Sequence, residues 1–134
     1  MRRLCLAPLV ILLLLGCRTV PTEISTDLTQ AELIQLAQEA ARQENWEAAR
    51  AYYAAMVERF PEDRAAVATA RYEIAFIEYR RGNLALAEPL FAEVIAMYDT
   101  DPEALPAWPA VLSRRLLEII EDERGSSSRT APSG

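Results

Sequence analysis

The side chains able to carry chemistry are few and fall into three groups. Cys5 and Cys17 lie near the start, and carboxylates cluster at Glu62-Asp63, at Asp99/Asp101/Glu103 and at Glu121-Asp122-Glu123. The third group is a strip of Tyr72, Phe76 and Tyr79 flanked by Arg80. Paired carboxylates can do acid–base work, as in glycoside hydrolysis. Here, however, all three clusters fall at expected helix ends or in loops, where carboxylates are solvated. With no histidine, the chain has no imidazole base, no Ser-His-Asp or Cys-His set and no imidazole metal ligand. Its four glycines supply no phosphate-cradling loop. The chain therefore reads as non-catalytic, with no cofactor and no metal. Tyr72, Phe76 and Tyr79, spaced i, i+4, i+7, share one helix face, and Tyr-rich, Arg-flanked surface is what interface hot spots prefer. The same rings can equally be core between neighbouring helices, the favoured reading for Phe76. Trp46 and Trp108 read as packing.

The elements that must position this strip are helices. Around Gly82 the chain reads as two helices folded back on each other: RYEIAFIEYRR before it, NLALAEPLFAEVIAMY after it. Both halves place apolar residues at i, i+3, i+4, i+7. Gly82 suits a left-handed helix end, and Asn83 can accept the first free N–H groups of the next helix. The pattern recurs at an offset of 38 residues: Ile74 on Leu36, Ala75 on Ala37, Leu84 on Trp46, Ala87 on Ala49, Phe91 on Tyr53 and Val94 on Met56. Forward, Ile74 falls on Leu112 and Ala75 on Ser113. Large residues fall on large and small on small, as stacked copies of one supersecondary unit require.

Local signals bound the elements. Thr29 and Glu32 form a capping box for the first helix. Asn45 caps a second running from Trp46 to about Arg59, which Pro61 stops. Asp63 caps a long third helix reaching Arg81. Pro89 should bend the fourth, at up to ~3 kcal/mol. Asp99 to Ala107 reads as a loop, and Pro109 opens a fifth helix to about Asp122, with Val111, Leu112, Leu116, Ile119 and Ile120 on one stripe. Residues 123–134 are small and polar enough to predict disorder.

In order, these residues resemble the tetratricopeptide repeat (TPR) family: Leu36-Ala37, Trp46, Ala49, Tyr53, Met56 and Phe60-Pro61 in one copy, Ile74-Ala75, Gly82, Leu84, Ala87, Phe91 and Val94 in the next. Departures are a repeat of 38 rather than 34 residues, no closing proline in the second copy, and Pro89. The resemblance implies an all-α fold, a short α-α superhelix of two antiparallel helix pairs plus a C-terminal capping helix, over residues 28–122. It also implies a partner-binding concave face, carried here by Ile34, Gln38, Ala41 and Arg42, by Tyr72, Phe76, Tyr79 and Arg80, and by Arg114 and Leu117.

Ahead of the repeats, residues 1–16 form an export signal. Arg2 and Arg3 are a short positive region, and Leu4 to Leu15 an apolar run too short for a bilayer that needs about 20 residues. Leu14-Leu15-Gly16-Cys17 resembles the bacterial lipobox, which implies cleavage before Cys17 and diacylglycerol on its thiol. An uncleaved anchor or an ordinary secretory signal are the alternatives. Two or more acyl chains would anchor the protein firmly. Cleavage and lipidation of Cys17 would leave 118 residues without a free thiol, so no disulfide could form, and the same resemblance implies that Arg18 permits sorting to the periplasmic face of the outer membrane, with the inner membrane as the alternative. All 14 basic residues are Arg, and the 12 beyond the signal face 20 acidic ones, a net charge of −8. Such a body suits neither nucleic acid nor an anionic membrane surface. Residues 17–27 read as lipidated Cys and flexible tether, about ten residues reaching roughly 16–19 Å. The expected function is a lipid-anchored envelope scaffold that binds a partner protein or peptide. The alternative is a self-associating structural lipoprotein.

Overall fold

The computed structural model describes residues 20, 21 and 23–129. Those residues form five α-helices and no strand: α1 (Gln30–Arg42), α2 (Trp46–Arg59), α3 (Arg64–Arg80), α4 (Leu84–Thr100) and α5 (Ala107–Arg129). Residues 1–16, read from the sequence as an export signal, lie outside the described residues, as do Cys17 and residues 130–134.

Each of the first three helices begins where a side chain satisfies its free N–H groups. Thr29 Oγ1 accepts from the Glu32 amide at 3.3 Å while the Glu32 carboxylate accepts from the Thr29 amide at 2.8 Å. Asn45 Oδ1 accepts from Ala48 and Asp63 Oδ1 from Ala66. These bonds hold the Glu32 and Asp63 carboxyls below their ordinary range, Glu32 through Thr29 and Asp63 through Ala66 and then Gln30. Asn83 departs from expectation. It makes no side-chain cap; its amide nitrogen instead donates to the Glu78 carboxylate at 2.7 Å. Only its backbone carbonyl receives the first amides of α4, from Leu86 and Ala87.

Consecutive helices pack as antiparallel neighbours, and α3 also touches α5. Ion pairs fix the directions. Arg114, early in α5, reaches Asp99 in the last turn of α4 at 2.6 Å, whereas Arg124 further along reaches Glu88 near the start of α4. The two cores share α3. Leu33, Ala37, Ala49, Tyr53 and Met56 surround its Ala70 and Ile77, while Ala87, Phe91, Val94 and Ile120 surround its Tyr72 and Ala75. The 38-residue offset survives in burial: Ala37, Ala75 and Ser113 are all fully enclosed, as are Ala49 with Ala87 and Met56 with Val94. α3 starts one turn earlier than α1 does in its copy, and an added turn of about 3.6 residues leaves the buried face in register.

Other expectations shift at the ends. α4 runs through Pro89 to Thr100 without interruption, so Asp99 is helical. Proline removes the bond to the Ala85 carbonyl, but Ala85 is exposed and water can serve it. α5 begins at Ala107, placing Pro109 in the first turn, where no partner for its missing N–H is needed. It ends at Arg129, not Asp122, so residues 123–129 are helical rather than disordered; Arg124 ties this extension to Glu88 of α4. The tether also loses length. Ile24 and Leu28 pack against the first core, and the Arg59 guanidinium donates to the carbonyls of Ser25 at 2.6 Å and Ile24 at 2.8 Å.

Candidate protein-interaction site

The aromatic strip lies on α3 and is assembled by its neighbours. Tyr72 stacks on Phe76 (6.0 Å between ring centres), leans on Phe91 of α4 and meets the edge of Trp108 of α5 at 5.2 Å. Phe76 in turn stacks on Tyr79 at 6.1 Å. The Arg80 guanidinium lies 5.6 Å above the Trp46 ring of α2 and 6.0 Å from Phe76, within cation–π range. The result is a graded surface. Tyr72 is buried, Phe76, Tyr79 and Trp46 are half-buried, and Arg80 is exposed.

Tyr72 therefore belongs to the core and not to an open groove, and burial, then the neighbouring Glu73 charge, pushes its phenol up. On α1, Ile34 and Ala41 are half-buried against the first core, and Gln38 and Arg42 are exposed, Arg42 paired with Glu39. On α5, Arg114 is exposed and paired with Asp99, and the half-buried Leu117 lies beside Glu88, Pro89 and Ala92, so both lie along α4. Helical spacing places residues on a common stripe but does not say which neighbour that stripe meets. Val111 and Leu112 show the same limit, since they point outward while Ala110, Ser113 and Ile120 take the buried face.

Three polar features escaped the sequence reading. Glu78 is almost fully enclosed, 3.3 Å from Arg50 and 3.5 Å from Arg81 besides its bond with Asn83. It ties α2 and the start of α4 to α3. Glu73, beside Tyr72 and close enough to raise Tyr53, is half-buried, and desolvation holds its carboxyl above the usual range. Arg71 reaches Glu93 at 3.1 Å while its Nε is buried without a partner. It borders a hollow of about 220 Å³ lined by Val57, Ile74 and Leu90. A signal existed for two of them. The offset puts Glu78 on Ala40 and Arg71 on Leu33, polar residues at positions that are apolar in the first copy.

Two of the carboxylate clusters have members in structural roles: Asp63 as a helix cap, Asp99 with Arg114 and Asp101 with Arg64. Among the described residues no group of three or more metal-ligating side chains converges, and no helix is long and apolar enough to cross a membrane. What the arrangement offers is a fixed aromatic and cationic surface. No family model, curated protein or solved structure matches the chain.

Proposed function

We propose that this is a TPR-type lipoprotein of the bacterial envelope, held to the membrane through Cys17, whose helical body binds a partner protein or peptide and performs no reaction. The observation that carries the reading is the Phe76–Tyr79–Arg80–Trp46 surface: half-buried rings locked by stacking, with an exposed guanidinium across them. Rigid aromatics and arginine give large contact area at low ordering entropy, the composition of interface hot spots. A peptide with apolar and acidic side chains fits it by chemistry.

Crosslinking of the full-length chain in intact envelopes, with Arg80→Glu and Tyr79→Ser beside the native sequence, tests the surface. A captured partner that drops at least tenfold with either variant, at unchanged melting temperature, supports it; an unchanged capture overturns it. The anchor is tested separately. Cys17→Ser should abolish acylation and release the protein from membranes, and a variant still acylated and membrane-bound sinks the lipid reading.

A further inference from the structure

The chain ahead of α1 lies along the first helix pair and does not hang free of it. The Arg59 guanidinium, on the last residue of α2, donates to the carbonyls of Ser25 at 2.6 Å and Ile24 at 2.8 Å. Bonds from a charged donor are roughly twice as strong as neutral ones, and here one side chain holds two successive carbonyls. Ile24 and Leu28 are half-buried against the first core. Within the segment, the Asp27 amide donates to Ser25 Oγ at 3.3 Å. Further back, Pro21 is half-buried and borders a hollow of about 280 Å³ with Leu36, Gln43, Asn45 and Tyr52.

These contacts give the segment a direction. Arg59 sits at the end of the pair where α1 begins and α2 finishes, whereas Gln43 and Asn45 lie at the other end, between the two helices. Followed backwards from Thr29, the chain runs from the first end toward the second. The second end also carries the aromatic and cationic surface, since Trp46 follows Asn45 directly and the Arg80 guanidinium lies over its ring. The Arg64–Asp101 pair and the loop containing Glu103 lie at the first end, on the far side of the bundle. Three peptide steps separate Val20 from Cys17, at most about 10–11 Å of chain. A free tether of about ten residues would instead let the body turn in any direction at roughly 16–19 Å.

We infer that residues 20–28 are a strap that fixes how the body sits on its membrane. It directs the anchor out beside Gln43 and Asn45, so the Trp46–Arg80 surface is held next to the bilayer and the Glu103 loop points away from it. A partner that meets this surface must then present its binding segment at the membrane. The clamp by Arg59 is a property of the fold alone, whereas the orientation rests on the Cys17 anchor proposed above.

Proteolysis of the full-length chain in mild detergent reads the clamp. A glutamyl-specific protease must draw the chain around the exposed Glu23 out of its contacts before cutting, so its rate follows the released fraction. Cleavage after Glu23 should be about tenfold faster in Arg59→Ala than in the native chain, with helix content unchanged by circular dichroism; equal rates overturn the strap. The orientation is read on the acylated protein in phospholipid vesicles carrying a headgroup nitroxide quencher, with a fluorophore attached at Glu44→Cys or at Glu103→Cys. Quenching should be severalfold stronger at Glu44→Cys, and adding Arg59→Ala or Ile24→Ser should bring the two positions together. Equal quenching in a vesicle-bound native chain overturns the orientation and leaves the anchor standing. A difference that survives both variants overturns the strap as its cause. A chain that does not stay with the vesicles overturns the anchor reading, and the orientation with it, whatever the protease reads.

Discussion

The two helix pairs are built on one plan, and their differences lie at equivalent positions 38 residues apart. Where α1 buries Leu33 and Ala40, α3 carries Arg71 and Glu78; where α1 shows Gln38 to solvent, α3 shows Phe76. The connection differs too. Glu44 takes a left-handed backbone (φ 55°) that Gly82 takes in the second pair (φ 78°). In both, the amide three residues past the helix end bonds back five residues, Asn45 to Ala40 and Asn83 to Glu78. One backbone solution is thus met once by glycine and once by a strained residue. The terminal pair member α1 contacts few neighbours and stays plain. α3, between two cores, bears the polar node and the aromatic surface.

The largest test of this comparison removes one core. Phe91→Ala should cost about 3–5 kcal/mol and Leu33→Ala about 2–5 kcal/mol in urea unfolding followed by circular dichroism. Because α3 contributes to both cores, each variant should unfold in one transition; two separate transitions would mean the pairs are independent units.

Next is the polar node. Glu78→Ala strands Asn83 and two arginines that are partly solvated, so a loss of about 1–2 kcal/mol is expected. Ala40→Glu, which puts a carboxylate at the equivalent site without that set of partners, should cost more than Glu78→Ala. Equal losses would show that the partners do not matter.

Arg71→Leu restores the first pair's residue type. It removes a buried, unpartnered Nε and gives up only the solvated pair with Glu93, so stability should rise by about 1 kcal/mol. A fall would show that the guanidinium stem fills space that leucine cannot.

The smallest effect is a pH dependence. Desolvation raises the Glu73 carboxyl in the fold, so the native state binds its proton more readily than the unfolded chain. Its contribution to stability falls as pH rises from the ordinary glutamate value of about 4.3 through the raised value, and stays lower above that. Glu73→Gln should therefore be more stable than the native chain at neutral pH and lose that advantage in acid. An advantage equal at both ends of a pH series would assign it to packing instead.

Much of this was legible in the residue order because it depends on neighbours close in sequence. The capping box at Thr29 and Glu32, the caps at Asn45 and Asp63, the turn at Gly82 and the helical periods are satisfied within a few residues. Alanine at 37, 49, 75 and 87 marked the close helix contacts for the same reason, since only a small side chain fits wherever two such helices meet.

What the chain order could not decide is which face of a stripe meets which neighbour. That depends on helix rotation, and rotation is settled when all elements pack at once. So Tyr72 was drawn inward beneath Phe76, Phe91 and Trp108, Arg114 and Leu117 turned towards α4, and Val111 and Leu112 were left outside. The continuation of α5 to Arg129 follows the same rule. Gly125 and the serines after it are poor helix formers, and the distant contact of Arg124 with Glu88 favours keeping this stretch helical. Local propensity set where helices are possible, and long-range burial set their ends and orientation.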